Sequence, residues 1–418
     1  MKKNRHDSFT ESTIYLVMVK ALSFLPLLLL PLLARSESSL IFAQVMLALT
    51  IDRFLFVVYE FGSHLPNISR ISYIMKSQNT HDESNTVSVI FTEVKLLRLS
   101  LWLAVCGLSF LVLTIFELAS INRYFLLICL ISGLFRALSP LWLFQAVRRL
   151  RYQFFIALLS KIVFFAGTAY LFYTDSLTGF GYLLLYAFSD FLGLGLGFIF
   201  YFSNNFRIVK STLLSFRNTA HESVSYFLGR LSSAGYNSLG PILLGVVNPA
   251  SFALYSISER IFVGLQSINA PIMDSLFAHR ISDNWNVYRF ALTIVFFCSS
   301  SISFLFYYFA DEIILILFGV EFIGAASVLK VLCAAFVVQS LSSILGHPFL
   351  TLKGYGHITN HSVSFGFGIS LILLVTLGLN QSLISISLAY LLLLTELTVL
   401  IYRVIFIFLK RSIIFSNL

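Results

Sequence analysis

Ser139–Gln153 reads SPLWLFQAVRRLRYQ. An apolar run that carries a proline and a tryptophan gives way, within a few residues, to Arg148, Arg149 and Arg151. Three readings of those arginines compete: a nucleic-acid patch, a nuclear signal, or the rim of a membrane span. The choice between them decides the fold class.

Composition favours the rim. The chain has 418 residues, 58% hydrophobic and 11% charged, whereas a soluble globular chain is about 45–50% apolar and about 25% charged. Its mean hydropathy of +0.89 places it in the membrane class. The 44 phenylalanines suit lipid-facing helices. A net charge of +9 would suggest nucleic acid only if the cations lay outside short interhelical loops. Cys106, Cys129, Cys298 and Cys333 each sit in an apolar run without metal-ligand spacing, as small packed hydrophobes do. The N-terminus resembles a signal peptide, MKKNR followed by apolar residues. The apolar run from Ser12 to Ala34 is nevertheless longer than the about 7–15 residues of a signal core. It reads as a first spanning helix.

Segments of about 20 apolar residues fall at 13–33, 39–62, 97–117, 122–146, 153–174 and 179–202, then at 222–246, 249–274, 288–309, 324–347, 359–379 and 382–406. Hydrocarbon gives the backbone no partners, so such runs must be helices or barrel strands. Strands would alternate over about ten residues, and these runs are continuous. The expectation is an all-α polytopic protein of about twelve transmembrane helices in two six-helix lobes, 1–205 and 206–418. Counting Lys and Arg in the short loops puts eighteen on the N-terminal side and only Arg35 and Arg123 on the other. Cations collect in cytoplasmic loops, so both termini are expected to be cytoplasmic. Arg148, Arg149 and Arg151 then mark the cytoplasmic mouth of the fourth helix.

The loops are short. Ala310–Ala326 is expected to form a short helix at the outer interface, Met75–Ser88 a linker, and Ser203–Ala220 an amphipathic inner stretch between the lobes. The halves read as weak repeats. Helix 2 carries Asp52-Arg53 before SRIS (Ser69–Ser72), and helix 8 carries Glu259-Arg260 before HRIS (His279–Ser282). Pro26 and Pro31 lie in helix 1 and Pro241 in helix 7. Chance similarity in a chain rich in Arg, Ile and Ser is the alternative. Two repeated lobes with a site between them are a common transporter plan.

Eight cations fall inside helices: Lys20, Arg53, Arg136, Lys161, Arg230, Arg260, Lys330 and Arg403. Each costs about 2.5–3.5 kcal/mol at a helix centre. Lys330 and Arg403 lie nearer helix ends and can snorkel; the other six must face the protein interior or a wet cavity. Acids in the spans are Asp52, Glu60, Asp190, Glu222, Glu259, Asp274 and Glu396. On helix 7, Ser223, Tyr226, Arg230, Ser233 and Asn237 form one polar stripe ending at Pro241. Helix 8 has a second stripe of Tyr255, Ser256, Glu259 and Gln266. Such stripes either wall an aqueous passage or glue helices together.

The surplus of cations points to an anionic substrate, a phosphate or pyrophosphate. The competing reading is that each arginine is a structural ion pair. On the first reading Lys20, Arg53, Arg230 and Arg260 hold the phosphates, with Arg136 and Lys161 as further candidates. Tyr226, Asn237, Tyr255 and Gln266 would touch sugar, and Asp52 and Glu259 would couple transport to H+ or Na+. The chain shows neither GxxxxGK[ST] nor HExxH, so no catalytic residue, metal or organic cofactor is expected.

PLWLFQAVRRLRY (Pro140–Tyr152) resembles the P-x-W-hydrophobic-F-Q-G-x-E signature of O-antigen translocases, the Wzx-type flippases for lipid-linked oligosaccharides. These belong to the multidrug/oligosaccharidyl-lipid/polysaccharide exporter superfamily. YEFGSHLPNISRIS (Tyr59–Ser72), ALYSISERI (Ala253–Ile261) and ILILFGVEFIGAASVLKVL (Ile314–Leu332) are similar to further elements of that family. Ala146 stands where the family usually has Gly, Arg148 where an acid is common, and Ser63 and His64 interrupt a Gly-Phe-Asn pattern.

The resemblance implies a V-shaped exporter in the bacterial inner (cytoplasmic) membrane. It would carry an undecaprenyl-pyrophosphate-linked O-antigen repeat unit to the outer leaflet by alternating access, without ATP. Partners would be the lipid-linked substrate, membrane lipids, and a polysaccharide polymerase with its chain-length regulator; nucleic acid is not among them. The rivals are a multidrug cation antiporter, which needs an acidic or aromatic cavity, and a glycan polymerase or ligase, which needs a large outer loop.

Overall fold

Hydrocarbon forces the backbone to satisfy itself, and the computed structural model contains helices and no strand among the described residues. Those are residues 14–410 apart from 16–17, 20–21, 23–24, 78–82, 116–120, 148, 205, 210–212 and 279–284. After a 3-10 turn at Leu25–Leu29, which contains Pro26, come α1 (Leu30–Ser36), α2 (Ser39–Glu60), α3 (His64–Ser77), α4 (Glu83–Ile115) and α5 (Arg123–Leu138). They are followed by α6 (Leu141–Ala146), α7 (Leu150–Tyr173), α8 (Gly179–Ser203), α9 (Leu213–Val247) and α10 (Pro249–Ala278). The chain ends with α11 (Trp285–Tyr308), α12 (Ala310–Phe318), α13 (Ala325–Leu345), α14 (Gly356–Leu379) and α15 (Ser385–Leu409).

Among the described residues nine helices are long and apolar enough to cross a membrane. α9 and α10, at 35 and 30 residues, have the length as well, since about 20 residues suffice. The chain is a multi-pass membrane protein.

Each apolar segment from 39–62 onward falls on a helix, but the bounds differ in instructive ways. α4 begins at Glu83, far ahead of the apolar run at 97–117. A helix can extend past the lipid into water, and hydropathy marks only the part in oil. The predicted helix 122–146 is broken at Ser139-Pro140. Ser139 is extended (φ −65°, ψ 133°), as the residue before a proline prefers, and α6 restarts after it. The predicted helix 324–347 leaves α-geometry at Gly346 and passes through a π-turn, Gly346–Thr351, beside Pro348. Pro241 sits inside α9, which runs on through it. Ala310–Ala326 does contain a short helix, α12, followed by a 3-10 turn at Val320–Phe322. Its Ile314 and Phe318 are buried while Ile316 is exposed. The predicted linker Met75–Ser88 is helical at both ends, within α3 and α4; its centre lies outside the described residues, as do the termini, Arg148 and the HRIS arginine Arg280.

The chain divides into two packed units, residues 1–37 with 47–231 and residues 38–46 with 232–418. In the first, α5 and α7 both pack on α8. Ile71 of α3, Ile90, Phe91 and Val94 of α4, Trp142 of α6 and Tyr201 of α8 form a buried cluster. The first part of α9, to Leu231, belongs to this unit. In the second, α13 is the central rod, packed by α10, α11 and α15. Tyr288 of α11 stacks on Phe349 of the π-turn with centroids 4.5 Å apart, within a cluster that includes Ile344 and Ile358.

Candidate functional site

Buried charge in a lipid-embedded fold must be paired or must face water, so the charged residues inside the spans show where chemistry is concentrated. Two such centres in the first unit hold sequence candidates.

The first centre joins α2, α5 and α8. Arg136 binds both carboxylate oxygens of Asp52 through one Nη, and its Nε lies 3.3 Å from Asp190 Oδ2. Ser132 donates to the same Asp190 oxygen at 2.6 Å. The guanidinium lies 5.2 Å from the centre of the Phe56 ring and 6.0 Å from that of Tyr186. Lys161 of α7 places its ammonium 5.8 Å from the same Tyr186 ring. Two carboxylates face one guanidinium, so the ionised triad has a formal charge of −1, with Lys161 nearby.

The second centre sits at the end of α2. Glu60 divides its oxygens: Oε2 accepts from Arg230 of α9, and Oε1 lies 3.8 Å from Arg98 Nη2 of α4. Arg98 Nε also donates to Ser63 Oγ at 3.0 Å, and its guanidinium lies 5.7 Å from the centre of the Trp142 ring. Ser63 donates to the Glu60 carbonyl at 2.7 Å, which closes the turn. Phe61 and Gly62 take positive φ, 53° and 61°. Gly62 is needed for more than its φ. A Cβ there would lie 2.5 Å from the backbone nitrogen of Phe227 on α9, so the absent side chain lets the turn rest on the helix that carries Arg230. Phe61 stacks on Phe227 at 4.5 Å.

His64 opens α3, which is not among the membrane-crossing helices. Burial, together with the positive charge of Arg98 and Arg230, pushes its imidazole down to about 4. It is therefore neutral near pH 7. Two arginines face one carboxylate here, for a formal charge of +1. Arg98 is buried, while the Arg230 side chain is 38% exposed.

The second unit is built differently. Tyr236 of α9 donates to Glu396 Oε1 of α15 at 3.2 Å, and Gln339 of α13 donates to the same oxygen at 3.0 Å. Gln266 of α10 donates to Gln339 at 2.5 Å, which links four helices through one carboxylate. Two turns along α15, buried Arg403 donates to Ser362 Oγ (2.9 Å), the Ser342 carbonyl (2.6 Å) and Ser342 Oγ (3.1 Å), with a longer bond to the Thr359 carbonyl. It is deeply packed and does not snorkel.

The sequence candidates distribute as follows. Asp52, Arg53, Arg136, Lys161, Tyr226 and Arg230 belong to the first unit; Asn237, Tyr255, Glu259, Arg260 and Gln266 belong to the second. Lys20 lies outside the described residues. The structure brings Asp52, Arg136 and Lys161 into one centre and puts Arg230 in the other. Arg53 and Arg260 are half-buried, each beside a buried acid, Asp52 and Glu259; the two acid–Arg pairs thus share one pattern of burial. Tyr226 is exposed and Tyr255 is buried. Asn237 donates along its own helix to the Ser233 carbonyl at 2.9 Å, and Gln266 is engaged with Gln339.

Sequence reading did not place Arg98 in a site, and it marked Ser63 and His64 only as departures from a motif. Arg98 was assigned to a cytoplasmic loop because it precedes most of the apolar run. Arg98 and Trp102, one helical turn apart, are the signal that could have placed it inside α4.

A sequence profile of the family described as "Polysaccharide biosynthesis protein" matches residues 9–278. The chain belongs to that family. A search of curated proteins finds no match. Solved structures show the family member's fold to be that of known transporters. It is similar to an inward-facing multidrug resistance MATE family transporter of the MOP superfamily, with TM-score 0.70, 12% identity, and coverage of 96% of this chain and 98% of that one. It is also similar to the lipid II flippase MurJ in an inward closed conformation, with TM-score 0.72, 13% identity, and coverage of 95% and 90%. A third similar structure is a MOP superfamily transporter from Pyrococcus furiosus Vc1 (DSM3638), described as having a binding pocket of reverse polarity that suggests a different function. That comparison gives TM-score 0.58, 13% identity, and coverage of 97% and 95%. The chain is thus a multi-pass member of the polysaccharide biosynthesis protein family with the fold of these transporters.

Proposed function

We propose that this polysaccharide biosynthesis protein is a flippase. Its cargo is an undecaprenyl-pyrophosphate-linked O-antigen repeat unit, moved from the inner to the outer leaflet of the bacterial cytoplasmic membrane by alternating access. The observation that carries this reading is the Glu60 centre: two arginines on one buried carboxylate, one of them, Arg230, with its side chain 38% exposed. A guanidinium with free donors suits a phosphate oxygen.

Glu60 holds Arg230 in place while the site is empty. When a phosphate takes Arg230, Glu60 keeps Arg98, 3.8 Å from its other oxygen, so no buried charge is stranded. Neutral His64 adds a polar edge to the centre without adding charge. Arg53, half-buried in the same unit, is the next cation for the second phosphate, and Tyr226, exposed on α9, is the residue for sugar. Family membership supports the oligosaccharide, and the fold supports alternating access. The net charge of the Glu60 centre argues against a cationic drug as cargo.

The test is complementation of a strain lacking the gene. Arg230→Ala should lower surface polysaccharide about ten- to a hundred-fold and leave complete lipid-linked units exposed on the cytoplasmic leaflet, with Arg230→Lys partly restoring export. Full export by Arg230→Ala, with normal membrane levels, would remove the anion assignment. Drug resistance conferred on a pump-deleted host would favour the antiporter instead.

A further inference from the structure

A groove of about 500 Å³ runs between α4 and α5 of the first unit. Its lining is apolar apart from Ser109 midway and the groups at one end. Cys106 and Phe110 on α4 face Leu127 and Ile131 on α5; Thr114 and Arg123 close the polar end. Arg123 is the one charged residue that lines it among the described residues. The helices are antiparallel. Trp102 of α4 donates its indole N–H to the Leu130 carbonyl of α5 at 2.9 Å, which ties them together at the apolar end and leaves Arg123 at the other.

The dimensions fit one leaflet. From Trp102 to Thr114 a helix rises about 18 Å, slightly more than half of the about 30 Å hydrocarbon core. Phe110 and Leu127 are exposed, so the groove opens toward lipid. Arg123 stands at the opposite end of the span Arg123–Ala146 from Arg149 and Arg151. It is one of only two cations that the loop count assigns to that face. An arginine on the cation-poor face, at the end of a leaflet-deep apolar channel, matches a tail below and an anionic head above.

We propose that this groove is a binding site for an anionic phospholipid of that leaflet, its acyl chain lying along Cys106–Phe110–Leu127 and its phosphate on Arg123. The leaflet-length channel favours a bilayer phospholipid over a long polyprenyl carrier. The site is separate from the Glu60 centre, and its test requires no transport.

The experiment reads bound lipid by native mass spectrometry after reconstitution in nanodiscs of equal phosphatidylglycerol and phosphatidylcholine. The intact chain should retain phosphatidylglycerol preferentially. Arg123→Gln should lower that preference about five-fold, the worth of one cation beside an anionic headgroup. Leu127→Trp, which fills the channel from a lipid-facing position, should remove the retained lipid of both kinds. Equal retention of the two lipids by the intact chain, or an unchanged preference in Arg123→Gln, overturns the proposal. So does replacement of phosphatidylglycerol by polyprenyl phosphate added at equal amount. Circular dichroism of both variants confirms that helicity is kept.

Discussion

The two units bury charge by opposite means. In the first, guanidiniums meet carboxylates: Arg136 with Asp52 and Asp190, and Arg98 and Arg230 with Glu60. In the second, Glu396 accepts from a phenol and an amide, and Arg403 donates to hydroxyls and carbonyls. Paired ions are stable only while both partners stay. A group satisfied by neutral dipoles can lose its charge and leave little behind. The first unit is thus the one whose charges an incoming anion can re-pair, and the second is a polar scaffold.

The sharpest way to break this comparison is to delete one arginine from each unit. Arg136→Met should cost about 3–5 kcal/mol, because it strands Asp52 and Asp190 in the interior; thermal unfolding in detergent reads it. Adding Asp52→Asn to that variant should recover part of the loss. Next in size is transport. Arg230→Ala should lower export about ten- to a hundred-fold, the range expected on losing a charge-assisted hydrogen bond of about 1.5–3 kcal/mol, while Tyr226→Phe should change it far less.

Arg403→Met should cost about 1–3 kcal/mol, since it leaves only neutral acceptors unpaired. A loss as large as that of Arg136→Met would erase the distinction between the units. Glu396→Gln should be smaller still, within about 1 kcal/mol, because the amide keeps an acceptor for Tyr236 and Gln339.

The finest probe is pH. His64 is held at about 4 in the fold against about 6.5 when unfolded. Between those values the unfolded chain binds more protons, so stability should fall as pH drops from 6.5 toward 4. His64→Gln should flatten that slope in melting temperatures measured across the window. Arg230→Ala, which removes one of the two positive neighbours, should raise the lower end of that window and shrink the total loss.

Much of this was legible in the sequence, and the reasons differ by region. The spans could be read because lipid imposes one rule on every residue of a long segment. The breaks at Pro140 and around Pro348 could not, since a hydropathy window does not register a missing N–H. The ion pairs were hidden for another reason. Arg136 and Asp52 stand on different helices, and neighbours such as Asp52 and Arg53 point about 100° apart. Sequence adjacency therefore does not identify Arg136 as a partner of Asp52. Glu60 was visible as an acid near a helix end, but its role depends on Gly62 letting α9 approach. Arg403 looked like a snorkelling residue because it lies nearer a helix end. The hydroxyls that hold it, Ser342 and Ser362, come from helices distant in sequence.

A substituent on Gly346 would lie 2.8 Å from Arg403 Nη1. The two positions are thus one fitting, hollow and peg. An alanine at the first forces the guanidinium off the Ser342 carbonyl; a shorter side chain at the second leaves the hollow unfilled at the point where α13 unwinds. Across related chains the two should be inherited as a unit, lost or kept together.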